Sequence, residues 1–265
     1  MLPTLALSSP GPADILALVV LIAVAVISWK FQALTLSGSL GMVGMGVVLA
    51  VVGGWEWLVP IAVFFISSTL LGCLQHDDDE SAERRDIWQV LSNGVVPTLG
   101  CLILLLGEDY RDTAITVYIG AVAATNADTW ATEIGMRFGG STRDIVSGMA
   151  VAPGSSGGIT GIGTFAALMG GVVIAVSSAV LDLPCIEGKH CLFFMSIAGW
   201  IGSMVDSLLG SGAQKRYRCR RCGQATEMPY HCGIHTSVRS GFLTSNQVNC
   251  LATCMGAFVA WVWLA

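Results

Sequence analysis

Charged residues are scarce in this chain. Asp, Glu, Lys and Arg make up only 12% of its 265 residues, and hydrophobic residues make up 54%. A soluble domain usually carries about twice that share of charge, and the mean hydropathy is +0.71. These values exclude an ordinary soluble domain and predict an integral membrane protein of the cell membrane. The lipid bilayer is its first expected partner, and no nucleic acid is expected.

The chain also lacks the alternation of apolar and polar residues that is typical of a membrane barrel. Several uncharged runs instead approach the roughly 20 residues that a helix needs to cross a bilayer. The first run, residues 15–28, has no basic segment before it and no small-residue cleavage site after it. We interpret it as a retained span and not as a signal peptide.

These runs predict an all-α, polytopic membrane helix bundle with about eight transmembrane helices. If both termini face outside, only Arg111 and Lys189 of the 13 basic residues fall in outer connections. The positive-inside rule favours that orientation. No internal repeat is present, so we interpret residues 1–265 as a single bundle domain with a small cytoplasmic insert at 213–240. The predicted spans are about 14–29, 33–52, 55–74, 89–107, 112–131, 159–181, 191–212 and 241–264.

NADTWATEIG, residues 126–135, puts two acids at the end of an apolar run. An ionised side chain in hydrocarbon costs roughly 3 kcal/mol, so either the span meets water here or the carboxylates do chemistry at the membrane edge. On a regular helix Asn126, Thr129 and Glu133 share one face, whereas Asp128 is rotated about 140° from Glu133. Either the helix unwinds near these residues, or the two acids have separate tasks.

A glycine-rich loop precedes the sixth predicted span. Its Pro-Gly-Ser-Ser-Gly-Gly sequence cannot continue a helix, yet an apolar run starts directly after it. A loop that leads into a helix N-terminus offers backbone N–H groups and the positive end of the helix dipole, which suits phosphate. The Gly-Lys-Ser/Thr ending of a Walker A loop is absent, and a flexible hairpin between spans is the alternative. The phosphate-binding candidates are Gly154, Ser155, Ser156, Gly157 and Gly158.

Other spans carry polar residues at their predicted cytoplasmic ends. Asp206 lies in an otherwise small and apolar span, where an acid needs a partner. Each polar residue alone is explained by an interhelical hydrogen bond worth about 1 kcal/mol. Together they predict one polar cluster at the cytoplasmic ends of spans four to eight. The further members are Arg85, Asn93, Gln214, Asn246 and Asn249.

These motifs resemble the transmembrane protein 19 family, also called domain of unknown function 92. The resemblance covers roughly residues 80–265, and NADTWATEIG is its most specific part. The family includes phytyl phosphate kinase. The resemblance therefore implies a transferase that moves a phosphoryl group from a nucleoside triphosphate, with CTP the implied donor, to an isoprenoid monophosphate.

Phosphoryl transfer needs mainly positioning and charge neutralisation. Asp128, Glu133 and Asp206 are the candidates for catalysis and for holding Mg²⁺, which commonly takes one or two carboxylates plus phosphate oxygens. Asn126 and Thr129 would orient oxygens, and the cytoplasmic arginines would neutralise the acceptor. Two alternatives use similar residues: a cytidylyltransferase that makes a CDP-lipid, and a small-solute transporter, because intramembrane acids and amides also mark transport pathways.

The predicted insert contains YRCRRCGQATEMPYHCGIH, residues 217–235. Cys219 and Cys222 form a CxxC pair, and Cys232 and His235 form a CxxH pair, with His231 as an alternative ligand. This spacing favours a structural Zn²⁺ with four ligands. Cytoplasmic thiols are rarely disulfides, so free thiols or a redox pair are the other interpretations.

Two further features have weaker signals. HDDDE, residues 76–80, is interpreted as a solvated loop. Cys185 and Cys191 lie in the predicted outer connection and form either a disulfide or two free thiols.

Overall fold

A computed structural model describes residues 11–73, 84–179, 189–223, 225–226 and 230–264. Within these residues the chain forms eight α-helices, which confirms the predicted all-α polytopic membrane bundle. HDDDE and Cys185 lie outside the described residues. The helices are α1 (Pro12–Lys30), α2 (Leu36–Val52), α3 (Leu58–Cys73), α4 (Ile87–Leu102), α5 (Arg111–Phe138), α6 (Gly161–Ala179), α7 (Lys189–Gly212) and α8 (Ser245–Leu264).

Five segments of the described chain are long and apolar enough to cross a membrane. Helix α2 is apolar but shorter, with 17 residues. Helices α5 and α8 carry the polar residues that the sequence singled out. The number of crossings and the side of each terminus stay predictions. The five segments are Pro12–Lys30, Trp55–Gly72, Ile87–Leu106, Gly161–Ser178 and Leu192–Gly212.

Helix α5 is the centre of the bundle and packs against α3, α4, α6, α7 and α8. Glycines on its neighbours allow this packing. A Cβ on Gly199 of α7 would lie 2.9 Å from the Ala123 side chain, and one on Gly202 would lie 2.5 Å from that of Ala124. On α5 itself, a Cβ on Gly120 would lie 2.7 Å from the Gly256 carbonyl oxygen of α8. These small residues bring helix backbones close together, which gathers the polar ends of α5 to α8 at one place.

The whole NADTWATEIG stretch is helical, because α5 continues to Phe138. The alternative in which the helix unwinds here is therefore wrong. Gly135 explains the continuation: a Cβ at this position would lie 3.3 Å from the Cα of Gly163, so α5 keeps packing closely on α6 through its last turns. Arg137 in the final turn also suits the negative end of the helix dipole.

Three of the helices start at side-chain caps near the polar cluster. Asp86 accepts a hydrogen bond from the Gln89 N–H (2.9 Å), and the Gln89 side chain accepts one from the Asp86 N–H (3.2 Å). Thr244 and Gln247 exchange the same two bonds before α8. Thr160 accepts from the Gly163 N–H (2.9 Å). Helices α6 and α8 begin at these caps and thus slightly later than predicted, because a cap needs a non-helical residue.

Short strands fill the two polar connections. The loop between α5 and α6 forms an antiparallel hairpin from β1 (Arg143–Asp144) and β2 (Gly158–Ile159). The strands of the insert between α7 and α8 are β3 (Arg216–Arg218), β4 (Ala225–Thr226), β5 (Tyr230–His231), β6 (Ile234–His235) and β7 (Ser237–Ser240). They form a three-stranded sheet, in the order β4-β3-β7, and a separate hairpin of β5 with β6.

Candidate functional site

A polar cavity of about 260 Å³ lies where the ends of α5, α6, α7 and α8 meet the glycine-rich loop. Asp128 of α5 and Asp206 of α7 both line it, as do Gln214 and Asn249. The predicted convergence of acids from separate helices is therefore present in the structure. The glycine-rich loop and the start of α6 complete the lining, with Gly154, Ser155, Ser156, Gly157, Gly158, Thr160, Gly163 and Thr164.

Asp206 has a partner from the last helix. With the Asn249 amide oriented so that its nitrogen faces the acid, it donates to Asp206 Oδ2 (3.2 Å) and to the Ser245 carbonyl (3.1 Å). One oxygen of the Asp206 carboxylate is thus held by α8. This contact fixes the acid of α7 relative to α8.

The glycine-rich loop is folded against α7 and is not a loose hairpin. The Gly157 carbonyl accepts from the Ile145 N–H (2.9 Å), and the Ser155 carbonyl accepts from the Gly158 N–H (2.9 Å). Gly157 has φ +80°, and a Cβ there would lie 2.5 Å from the Ser211 Cβ. Only glycine allows both this backbone conformation and this approach to α7.

Asp144 anchors the same loop to α7. Its Oδ1 accepts from the Ser147 N–H and the Ser147 hydroxyl, both at 2.8 Å, and from the Val146 N–H at 3.2 Å. A hydrogen bond from the Ser211 side chain, followed by those from Ser147, lowers the pKa of Asp144 to about 2. The carboxylate is therefore charged at neutral pH, and it links the loop to α7.

Glu133 and Arg85 lie on the other side of α5. Burial lowers the pKa of the Arg85 guanidinium, and the negative charge of Glu133 opposes that shift. Arg85 also donates to the Ser68 hydroxyl of α3 (3.0 Å). Neither Arg85 nor Glu133 lines the polar cavity. The rotation of about 140° between Asp128 and Glu133 on an unbroken helix explains why the two acids face different partners.

Other predicted residues have structural contacts. Asn126 is fully buried: its Oδ1 accepts from the Ser67 hydroxyl (3.0 Å), and its Nδ2 donates to the Gly170 carbonyl (2.8 Å). Thr129 donates to the Thr125 carbonyl one turn earlier (3.1 Å). Asn246 does not line the polar cavity, and Asn93 lines a different one. Of the predicted set, the two aspartates, the loop, Gln214 and Asn249 are brought together.

Some polar residues in or beside the cavity were not predicted. Thr132 lies one helical turn after Asp128, so the 3.6-residue period could have found it. Thr160 caps α6 and also lines the cavity. Arg216, on β3, donates to the carbonyls of Ser211 (3.1 Å) and Ser156 (3.4 Å). Nothing in its local sequence distinguishes Arg216 from the other arginines of the insert.

The insert brings together the thiols of Cys219, Cys222 and Cys232 and the ring of His231, with their ligand atoms within 4.8 Å of one another. The His231 Nδ1 lies 3.2 Å from the Cys232 Sγ and 3.6 Å from the Cys222 Sγ. This set of three thiolates and one imidazole matches the donors of closed tetrahedral zinc sites. The cluster can therefore bind a metal.

His231, the alternative ligand, belongs to this cluster, and His235, the ligand first expected, is not among its residues. In the β5–β6 hairpin His231 pairs with Ile234, and His235 pairs with Tyr230. Successive side chains of a strand point to opposite faces, so His235 shares its face with Tyr230. Their rings contact edge to face, with centroids 5.2 Å apart.

Backbone N–H groups already favour the charged form of one cluster thiol. A hydrogen bond from the Cys222 backbone is the largest cause that lowers the pKa of Cys219 to about 6. Cys219 is also buried, with 1% of its surface exposed. A thiol that is buried and held by N–H donors resembles a structural metal ligand more than an exposed reactive cysteine.

The fold and cavity define a class: a polytopic helical membrane protein with two carboxylates facing a glycine-rich loop at one end of the bundle. Comparison with known proteins identifies the family. Residues 19–257 match the family described as Integral membrane protein DUF92, and the chain belongs to it. The predicted resemblance is thereby confirmed.

Relatives occur in distant organisms. The chain is 26% identical over 235 residues to an uncharacterized membrane protein of Methanocaldococcus jannaschii, covering 87% of this chain and 85% of the relative. It is 28% identical over 235 residues to Protein PGR of Arabidopsis thaliana, covering 78% and 81%. An uncharacterized membrane protein of Synechocystis is 25% identical over 184 residues, covering 65% and 69%. No solved structure matches the chain.

Proposed function

We propose that this protein is a lipid monophosphate kinase that transfers the terminal phosphoryl group of a nucleoside triphosphate to an isoprenoid monophosphate. The observation that carries the proposal is the polar cavity, where Asp128 and Asp206 face the glycine-rich loop and the N-terminus of α6. Phosphoryl transfer needs carboxylates that hold Mg²⁺ and backbone donors that hold phosphate. CTP is the donor that the family resemblance implies.

Asp128 and Asp206 would hold Mg²⁺, since this ion is usually bound by one or two carboxylates and by substrate phosphates. Bound Mg²⁺ would neutralise the charge on the phosphates. An oxygen of the acceptor monophosphate would attack the terminal phosphorus, and the bond to the bridging oxygen would break, releasing the nucleoside diphosphate. Asn249 would keep Asp206 oriented during this step.

The loop would bind the phosphates of the donor. The cavity measures about 260 Å³, which is slightly below the roughly 300–1,000 Å³ of sites that enclose a whole small molecule. It suits the triphosphate and its metal, with the base nearer the mouth. Arg216 contacts the Ser156 carbonyl of the loop, where it would add positive charge. Glu133 would act from the far side of α5 by holding Arg85, not by binding the metal.

The basic residues support one orientation of the bundle. Arg143 and the arginines of the insert lie on connections at the same end as the cavity. We infer that this end faces the cytoplasm, because basic connections are retained there. Cytoplasmic nucleotides would then reach the cavity directly.

The test uses purified protein with Mg²⁺, geranylgeranyl or phytyl monophosphate, and each of the four nucleoside triphosphates in turn. The expected products are the isoprenoid diphosphate and a nucleoside diphosphate. Release of pyrophosphate with a CDP-lipid would instead identify a cytidylyltransferase. Asp128→Asn and Asp206→Asn should each abolish turnover, while Asp112→Asn, an exposed acid in the first turn of the same helix α5, should not. Full activity in both cavity variants would refute the site.

We also propose that Cys219, Cys222, His231 and Cys232 hold a structural Zn²⁺, which would cross-link the connection between β3 and β4 to the β5–β6 hairpin. Metal analysis of protein prepared without chelator should give about one equivalent of zinc. Less than about a tenth of an equivalent would contradict the proposal.

A further inference from the structure

The insert between α7 and α8 is strongly basic. Residues 213–240 contain six of the 13 basic residues and one acid, a net charge of +5, whereas the whole chain has a net charge of -5. The connection between α5 and α6, at the same end of the bundle, has only Arg143 and Asp144, which cancel. The positive charge is therefore a property of the insert. The basic residues of the insert are Lys215, Arg216, Arg218, Arg220, Arg221 and Arg239.

The arginines of the insert keep their charge available to a partner. All five are exposed. Arg218 donates to a backbone carbonyl (3.0 Å), as does Arg221 (3.1 Å). A carbonyl acceptor orients a guanidinium without neutralising it, as a carboxylate would. Within the described part of the chain, Arg220 and Arg239 make no side-chain hydrogen bond, so their guanidinium groups can meet an anion from outside.

These arginines lie close to the membrane surface. Arg216 donates to the Ser211 carbonyl in the last turn of α7 (3.1 Å), where the apolar segment that is long enough to cross a membrane also ends. Arg216 pairs with Ser240 of β7, so Arg218 and Arg239 lie within two residues of this point, about 7 Å along a strand. Electrostatic attraction extends over about 10 Å at 0.1 M salt. The basic side chains are therefore within range of the headgroups.

Apolar side chains are exposed beside the arginines. Phe242 exposes 71% of its surface, Val238 57% and Tyr230 54%. Aromatic rings are enriched at the level of the headgroups, and arginine lays its apolar stem along such surfaces while its charged head stays in water. A free anion in solution would match the charge of the insert but not these exposed apolar side chains. A membrane interface matches both.

We propose that the insert binds the anionic phospholipid headgroups of the leaflet at the cavity end of the bundle. The negative surface of such a leaflet favours binding by roughly fivefold for each basic residue close to it. This interaction goes beyond the proposed kinase activity, and it requires neither nucleotide nor Mg²⁺.

The full-length protein in lipid nanodiscs tests this interaction, because the headgroups can be changed while the protein stays the same. Discs contain equal amounts of phosphatidylglycerol and phosphatidylcholine, and native mass spectrometry counts the lipids that the protein retains. We expect phosphatidylglycerol to be retained in preference, and the preference to fall with added salt. Equal retention of the two lipids would overturn the proposal. So would loss of the preference on addition of free glycerol 3-phosphate at low ionic strength, because the site would then bind soluble anions.

Variants locate the interaction on the insert. Arg220→Gln combined with Arg239→Gln should reduce the preference for phosphatidylglycerol roughly tenfold or more. Val238→Glu places a negative charge on the same exposed surface and should also weaken it. Arg111→Gln, at an exposed arginine at the opposite end of α5, is the control and should leave it unchanged. An unaltered preference in the double variant, or an equal loss in Arg111→Gln, would overturn the location.

Discussion

Replacing Gly157 with alanine tests whether the glycine-rich loop rests on α7. The new Cβ would lie 2.5 Å from the Ser211 Cβ and 2.6 Å from its backbone Cα and N. Real Cβ atoms do not approach so closely, so the loop or the end of α7 must move. Because Ser211 is held by helical backbone bonds, we expect the loop to move.

Gly154→Ala is a matched control for this change. Gly154 has φ +79° and Gly157 has φ +80°, so both alanines carry the same left-handed backbone penalty of roughly 1–2 kcal/mol. The space differs: a Cβ on Gly154 would meet only the Met136 side chain, 3.0 Å from its sulfur. A flexible side chain can turn aside, whereas backbone cannot. The difference between the variants therefore isolates the contact with α7.

The expected sizes follow from these contacts. Gly154→Ala should cost roughly 1–2 kcal/mol. Gly157→Ala should cost about 1–3 kcal/mol more, the usual range for overpacking. With about 2–4 °C per kcal/mol for a chain of this size, the melting temperatures of the two variants should differ by several degrees.

Thermal unfolding followed by tryptophan fluorescence in detergent measures the difference. A second reading is the stabilisation that each variant gains from Mg²⁺ with CTP, since a bound ligand raises the melting temperature. We expect that gain to disappear in Gly157→Ala and to persist, reduced, in Gly154→Ala. Equal melting temperatures would refute the close approach of loop and helix.

Three other outcomes are expected. The folded-state pKa of Asp144 is lowered to about 2, so its charge stabilises the fold above the ordinary carboxyl pKa of about 4 and loses that effect as pH falls towards 2. The stability difference between wild type and Asp144→Asn, measured by thermal unfolding, should therefore shrink over that pH range. A constant difference would contradict the link to Ser211. Cys222→Ser should lower both the amount of bound zinc and the protection of the insert from protease. Cys254→Ser, on the exposed face of α8, should change neither quantity. Equal zinc contents in the two variants would exclude the cysteine cluster as the zinc site. Asn126→Ala should lower the free energy of unfolding by about 1–3 kcal/mol, because it removes the side-chain hydrogen bonds that link α5 to Ser67 of α3 and to the Gly170 carbonyl of α6. An unchanged melting temperature would show that this bridge between helices is dispensable.

The sequence could predict the helices and the meeting of the two aspartates. Long apolar runs define helices without tertiary information, and the basic connections favour one orientation of all of them. Asp128 and Asp206 lie at corresponding ends of neighbouring spans, so their convergence followed from topology. The helix period also separated Asp128 from Glu133 correctly once α5 was known to be unbroken.

Other features depend on contacts that the sequence does not express. Whether α5 unwinds after Asn126 is decided by Gly135 packing on α6, which is a tertiary contact. The sequence spacing of the cysteines allows either His231 or His235 as the fourth ligand. The choice between them depends on the register of the β5–β6 hairpin. Arg216 reaches the loop only because β3 leaves α7 beside Ser211.

The two ends of the insert lie side by side. The backbone N–H of Lys215 donates to the Leu243 carbonyl (2.8 Å), and that of Phe242 donates to the Ala213 carbonyl (2.9 Å), so the chain leaves α7 and returns to α8 at almost the same point. A short turn from β3 to β7 could replace the cysteine-rich part of the insert without moving either helix or Arg216. The insert is thus a place where the chain tolerates exchange: a fluorescent reporter or a crystallisation chaperone could be grafted there, next to the cavity, to follow its occupancy.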